Sequence, residues 1–309
     1  ANGRFALDGD QIVVADGSQL DFESNQTHNI TVRTTDDGGE SFNQQLTINV
    51  TDVDETPTEP PILGGAGNDV LDGDSGNDVI LGGRGDDQLN GGDGNDQLKG
   101  GAGNNLLNGG DGNDSLYGGA DNDVLNGDDG NDLIIGWIGD DQLSGGNDDD
   151  LVTGGTGNDT LNGDDGNDTL NGGDDNDQLN GGTGNDTLNG HTGSDTLIGV
   201  DITSVQPGSN EIDILRGGNY GDADIFVLGD DSGQVYYTGN GVNDYARIVT
   251  FNGAEGDQIQ LSGSSGDYTL GEDVPGLSRG TAIYNNDDLI GIVINVADMD
   301  LNSSDFSFV

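Results

Sequence analysis

The chain has 309 residues, with 59 Asp or Glu against 7 Lys or Arg for a formal charge of −52, and it contains 59 glycines and no cysteine. A surface this negative repels phosphates and excludes nucleic acid and anionic lipid as partners, and without cysteine neither a disulfide nor a thiolate zinc site can brace the fold. No apolar run approaches the roughly 20 residues of a membrane span, and no charged-then-apolar leader opens at Ala1, so the expectation is a fragment or the C-terminal part of a longer protein.

Residues 1–57 read as strands broken by Gly/Asp turns: QIVVADG, HNITVRTTDDGG and QQLTINVTDVDE. The acidic stretch Leu20–Glu23, the Asp36–Gly39 turn and INVTDVDETP at Ile48–Pro57 resemble the second half of a cadherin-like domain. That resemblance implies a partial β-sandwich, with four or so of seven strands present. It also implies calcium ligation by the acids matching Asp21, Glu23, Asp52 and Asp54; by themselves these residues read equally well as a solvated loop. A short linker, 58–63, follows.

From Gly64 to Ile198 a nonapeptide repeats fifteen times without insertion or deletion. Position one is always Gly, position four is Gly except at Asp121, Asp148 and Asp175, and position eight is always Leu, Ile or Val. Position six is Asp at Asp69, Asp78, Asp87, Asp96, Asp114, Asp123, Asp132, Asp141, Asp150, Asp159, Asp168, Asp177, Asp186 and Asp195, with Asn105 as the exception. A fixed period points to a solenoid and away from a disordered acidic tail. Positions seven to nine make a minimal strand with position eight pointing inward, and the Gly-rich six-residue turn brings carbonyls close together. Two nonapeptides close one coil of a flattened parallel β-roll, giving about 7.5 coils and a rod of roughly 36 Å.

One apolar side chain per nine ordered residues cannot offset the entropy of ordering them, and stacked carboxylates repel. A divalent cation reverses both deficits. Calcium takes carboxylate and carbonyl oxygens together, so the candidate ligands are these Asp residues with the carbonyls of Gly64, Gly73, Gly82, Gly91, Gly100, Gly109, Gly118, Gly127, Gly145, Gly154, Gly163, Gly172 and Gly181. Stacking copy n on copy n+2 predicts up to about thirteen ions, which would nearly neutralise the block's 29 Asp, offset only by Arg84 and Lys99. Sites beside Asn105 lose charge, and Trp137 and His191, standing where the second Gly belongs, are expected to distort their turns. The consensus GGxGxDxLx resembles the calcium-binding nonapeptide of RTX (hemolysin-type) proteins.

Residues 199–309 lose the beat. Glu211–Gly229 is a degenerate repeat in which Asp213 and Asp224 still precede apolar residues, and it is expected to cap the roll and extend its metal ligands. QVYYTG, YARIVTF, DQIQLSG, TAIYNN and LIGIVINV then alternate as a small antiparallel β domain. The segment Asp244–Leu261 resembles the one that follows the repeats in secreted RTX proteins, which implies an uncleaved signal for type I secretion near the C-terminus. The predicted fold class is therefore all-β: a roll flanked by a partial cadherin-like sandwich and a C-terminal β-rich cap.

No catalytic constellation is visible. His28 and His191 sit in different modules, and neither an HExxH helix nor a GxSxG elbow occurs. The expectation is a non-enzymatic, extracellular calcium-binding protein that folds after type I secretion, as part of a cell-surface or matrix adhesin. The alternative is the export and folding tail of a secreted exoenzyme, distinguished by what lies upstream of residue 1. A minor alternative is an ice-binding face built from the TLN triplets at Thr160, Thr169 and Thr187.

Overall fold

The structure, a computed structural model, describes strands 5–8, 11–14, 27–35 and 41–49, and residues 60–309 apart from 205, 219–220, 239–240, 273, 275 and 278. Asp21, Glu23, Asp52 and Asp54 lie outside the described residues. The chain divides into two units, Ala1–Glu55 and Thr56–Val309. In the first, Phe5–Asp8 pairs antiparallel with Gln11–Val14, and Thr27–Thr35 with Ser41–Asn49, as two separate hairpins. Among the described residues of this unit the strands form two two-stranded sheets.

The second unit is almost wholly two long sheets facing each other. One contains Val70–Asp72, Gln88–Asp93, Leu106–Asp111, Val124–Asp129, Gln142–Asn147, Thr160–Asp165, Gln178–Thr183 and Thr196–Ile198 in that order. The other contains Ile62–Ala66, Val79–Arg84, Gln97–Ala102, Ser115–Ala120, Leu133–Ile138, Leu151–Thr156, Thr169–Asp174 and Thr187–Thr192. Successive strands of the chain fall in alternate sheets, and neighbours within a sheet are parallel with equivalent positions paired, Leu107 with Leu125 and Leu116 with Ile134. Two nonapeptides therefore make one coil, as the period requires.

The strands are longer than the triplet expected. They run six residues, through positions seven, eight and nine and on through one, two and three of the next copy, which leaves a turn of three. Position one drops out of the register, since Asn108 pairs with Asn126 and the next pair is Gly110 with Asp128. Glycine with positive φ at position two, as at Gly110 (φ 114°), returns the chain to the ladder after that skip.

The main core is one column, with a small second cluster at Tyr245, Ala282, Leu289 and Ile292. Position eight from Ile80 to Leu197 is buried, and the column continues through Leu215, Phe226, Ile248, Ile259 and Phe306. That continuity changes the reading of the C-terminal region. Ile212–Gly218, Tyr245–Val249 and Asp288–Ile294 extend the second sheet in parallel, while Ile225–Val227, Gln258–Leu261 and Phe306–Phe308 extend the first. Only Tyr268–Glu272 and Gly280–Asn285 are antiparallel, hairpinned onto Asp288–Ile294. The exposed edge of the last repeat dictates this outcome. Leu188 pairs with Leu215 and Leu215 with Ile248, so inward residues keep their phase while the loops between strands lengthen.

Candidate metal centres along the roll

Position six ends each turn and precedes a strand whose next inward residue is the core Leu, so its side chain is carried into the stack of turns. Asp87 through Asp195 are buried there. Each carboxylate bridges two coils: its Oδ1 accepts the backbone N–H of the Asp eighteen residues earlier, as in Asp78 to Asp96 at 2.7 Å and Asp132 to Asp150 at 2.7 Å. Its second oxygen is left over. Oδ2 of Asp87, Asp96, Asp114, Asp123, Asp132, Asp141, Asp150, Asp159, Asp168, Asp177, Asp186 and Asp195 is buried and has no hydrogen-bond partner among the described residues.

Those oxygens lie against the glycine at position one. A Cβ placed on Gly82 would collide with both Asp87 Oδ2 and the Gly100 carbonyl oxygen. The same trio recurs at Gly64 (Asp69 and Gly82), Gly73, Gly91, Gly109, Gly118, Gly127, Gly145, Gly154, Gly163, Gly172 and Gly181, and also at Gly136 and Gly190. Each cradle thus joins a carboxylate oxygen to a carbonyl from the copy two places on. Glycine is required here on steric grounds, because a methyl group would fill the cradle.

Burial disfavours the charged form of these carboxyls. It pushes Asp96, Asp168 and Asp195 up to about 6, Asp123, Asp132 and Asp159 up to about 7, and Asp150 and Asp177 up to about 8. Asp186 rises to about 9, from burial and the adjacent Asp213. A buried carboxylate without a partner is costly unless a cation or a proton neutralises it.

Two positions depart from the pattern. At Gly100 the neighbour is Asn105 Nδ2, a donor facing the spot where other copies present an acceptor, and it donates to the Gly103 carbonyl at 2.8 Å and to Asp123 Oδ1 at 3.0 Å. The weakening expected beside Asn105 thus has a geometric basis. At the C-terminal end of the same ladders, Asp213 is not orphaned. Its Oδ1 takes the Asp186 N–H, and the buried Tyr237 hydroxyl donates to Oδ2 at 2.5 Å beside Gly199, so a protein donor fills the place a cation would take. Asp224 accepts the Asp195 N–H at 3.0 Å and itself donates its N–H to Asp257 Oδ1 at 3.1 Å.

Trp137 and His191 do not distort their strands. They pair in register with Gly119 and Gly155, and with Gly173 and Gly218, at φ of 84° and 79°. The cost is confined to the backbone, at about 1–2 kcal/mol for a side chain in this region. The TLN triplets do not form one face: Thr160 lies in the first sheet, Thr169 and Thr187 in the second.

Two features went unread in the sequence. Position five is Asn or Asp in every copy but the last, where it is Ser194. It forms a second ladder running the opposite way, its side-chain oxygen accepting the N–H of the residue eighteen places later, as from Asp86 to Asn68 at 2.9 Å and from Asn113 to Asn95 at 2.7 Å. Asp257 is the other, signalled by the same Asp-x-apolar spacing before Ile259.

Among the described residues no group of three or more His, Cys, Asp or Glu side chains converges on one point. The donors that do converge are carboxylate and backbone carbonyl oxygens, the mixture a hard cation of the calcium class takes. Fold and cradles together define an ion-binding parallel β-roll. The RTX calcium-binding nonapeptide repeat (4 copies) matches at residues 62–89, 90–125, 117–152, 144–179 and 171–200, so residues 62–200 are RTX calcium-binding repeats. No curated protein matches the chain. Among solved structures, the extracellular lipase LipA from Serratia marcescens is 20% identical over 65% of this chain and 39% of its own length, with a TM-score of 0.24. The chain thus spans well under half of that lipase, and the likeness carries no functional argument.

Proposed function

We propose that the chain is a non-catalytic scaffold that calcium folds outside the cell after type I secretion. The observation that carries this reading is the row of twelve buried Oδ2 atoms without partners. Left charged and unpaired, each costs about 1–3 kcal/mol, a total that matches or exceeds the roughly 5–15 kcal/mol that holds a typical domain together. The metal-free roll is therefore unstable at neutral pH.

Calcium supplies the positive charge that these oxygens lack, and the protein's part is to present them. The turns set the Asp columns, the position-one glycines leave room, and the ladder from N–H to Oδ1 keeps the second oxygen aimed at the cradle. Extracellular calcium sites bind at roughly 10⁻⁴ to 10⁻³ M, so the segment would remain unfolded inside the cell and fold outside. We further propose about twelve ions per chain. The parent we favour is a cell-surface or matrix adhesin, on the strength of the N-terminal strands, with an exoenzyme tail as the alternative.

Calcium titration of metal-stripped protein, followed by circular dichroism and calorimetry, tests this. A transition from disorder to β structure with about a dozen ions bound is expected. A folded spectrum at neutral pH without divalent cations would overturn the reading.

A further inference from the structure

The two outer faces of the roll differ in chemistry. Strands of the first sheet from Val70–Asp72 to Gln178–Thr183 hold seven acids, Asp72, Asp93, Asp111, Asp128, Asp129, Asp164 and Asp165, and no Lys or Arg. Strands of the second from Ile62–Ala66 to Thr187–Thr192 hold Arg84, Lys99 and a single acid, Asp174. That second face also carries an apolar patch. Leu133 and Ile135 are half-buried beside Tyr117, while Trp137, Ile138 and Leu151 are 55%, 59% and 42% exposed. Trp137 stands in a left-handed position that Gly119 and Gly155 fill on either side. Nothing described in its own unit covers it. A contiguous apolar patch on a chain of charge −52 marks an interface.

We propose that two copies of the roll pair through this face, sheet against sheet, about a two-fold axis lying along the strands between Ser115–Ala120 and Leu133–Ile138. Charge selects this occupant. An acidic partner would find only Arg84 and Lys99, and a basic one only Asp174, whereas a second copy meets both needs. The axis reverses strand order, and Val79–Arg84 and Thr169–Asp174 each lie three strands from it on opposite sides. Arg84 and Asp174 both occupy position three of their copies, so Arg84 of one copy faces the partner's Asp174. The apolar centre meets itself, and the acidic first sheets point outward, away from each other.

The size also suits. Six strands at about 4.8 Å and six residues at about 3.3 Å give a patch of roughly 29 by 20 Å, or about 1,200 Å² for the pair, above the ~1,000 Å² of a specific interface. Face-to-face sheets pack about 10 Å apart with interdigitating side chains. Because the rest of each copy is acidic, added salt should tighten the dimer.

Sedimentation of the full chain in saturating calcium tests the proposal, with circular dichroism confirming that every variant keeps its roll. The expected result is a concentration-dependent dimer, strengthened by salt, in which emission of Trp137, the chain's only tryptophan, shifts to the blue on association. Ile138→Asp is expected to weaken the dimer at least tenfold. So is Trp137→Gly, which returns to the left-handed position the residue that best tolerates it. Arg84→Asp and Asp174→Arg should each weaken pairing, and the two together should restore it. A monomer at roughly 100 µM would overturn the proposal, as would a dimer indifferent to Ile138→Asp. A monomer with already blue-shifted emission would overturn it too, by showing that another part of the chain covers the face.

Discussion

Replacing Asn105 with Asp puts a carboxylate into the one copy that lacks it. Asn105 Nδ2 now lies 2.6 Å from where a Cβ on Gly100 would stand, with the Gly118 carbonyl at 2.7 Å from the same point. Its two hydrogen bonds, to the Gly103 carbonyl and to Asp123 Oδ1, contribute about 1 kcal/mol each. The substitution removes both and sets a second negative charge against Asp123, so the roll loses about 2–4 kcal/mol when calcium only just suffices to fold it. At high calcium the sign changes. The new carboxylate completes the cradle, and an ion held there at 100 times its Kd contributes about 2.7 kcal/mol. Calorimetry of metal-stripped protein should therefore count one more ion than the parent binds. Thermal unfolding across a calcium series should show the variant weaker at the low end and equal or stronger at the high end. An unchanged ion count together with a deficit at every calcium concentration would refute the cradle chemistry.

Two further outcomes follow from the same site. In the metal-free protein, burial raises Asp150 and Asp177 to about 8, above the ordinary carboxyl range. The folded state thus binds protons that the unfolded state has released, and stability falls as pH rises from about 4 to about 8. Acidifying metal-stripped protein from pH 8 to pH 5 should induce β structure by circular dichroism, and apparent calcium affinity should drop as protons compete; a spectrum flat across that range would contradict the burial. Tyr237→Phe strips Asp213 Oδ2 of its donor and should cost about 1–3 kcal/mol, lowering the unfolding temperature in saturating calcium by roughly 3–10 °C. A variant as stable as the parent would show that this hydroxyl does not seal the end of the ladder.

The repeat announced most of this architecture because each of its constraints acts within nine residues. The inward Leu, the position-six Asp and the position-one Gly are all explained by contacts to the copy two places away. The length of the strands was not legible, since it depends on whether the glycines at positions one and two stay in the ladder, which is a matter of φ and not of composition. The position-five ladder was visible as Asn and Asp in fourteen copies, yet solvated turns favour the same residues, so composition alone did not separate the two. The C-terminal strands misled for a different reason. TAIYNN and LIGIVINV do form the expected hairpin, but the alternation in YARIVTF and DQIQLSG does not record whether a strand meets its neighbour head to head or side by side. The open edge at Thr187–Thr192 settled that. The chemistry of Tyr237 was likewise invisible, because it reaches Asp213 across a loop with no fixed spacing.

The apolar column has an asymmetry with consequences for assembly. At its C-terminal end it broadens to include Phe226, Tyr236, Tyr237 and Ile248, while at the opposite end the inward residues Ile62 and Leu71 are only partly buried. One end is thus a seed and the other a growing tip. Winding has a direction, as in growth from a crystal face, and the tip can gain or shed whole coils while the seed stays intact.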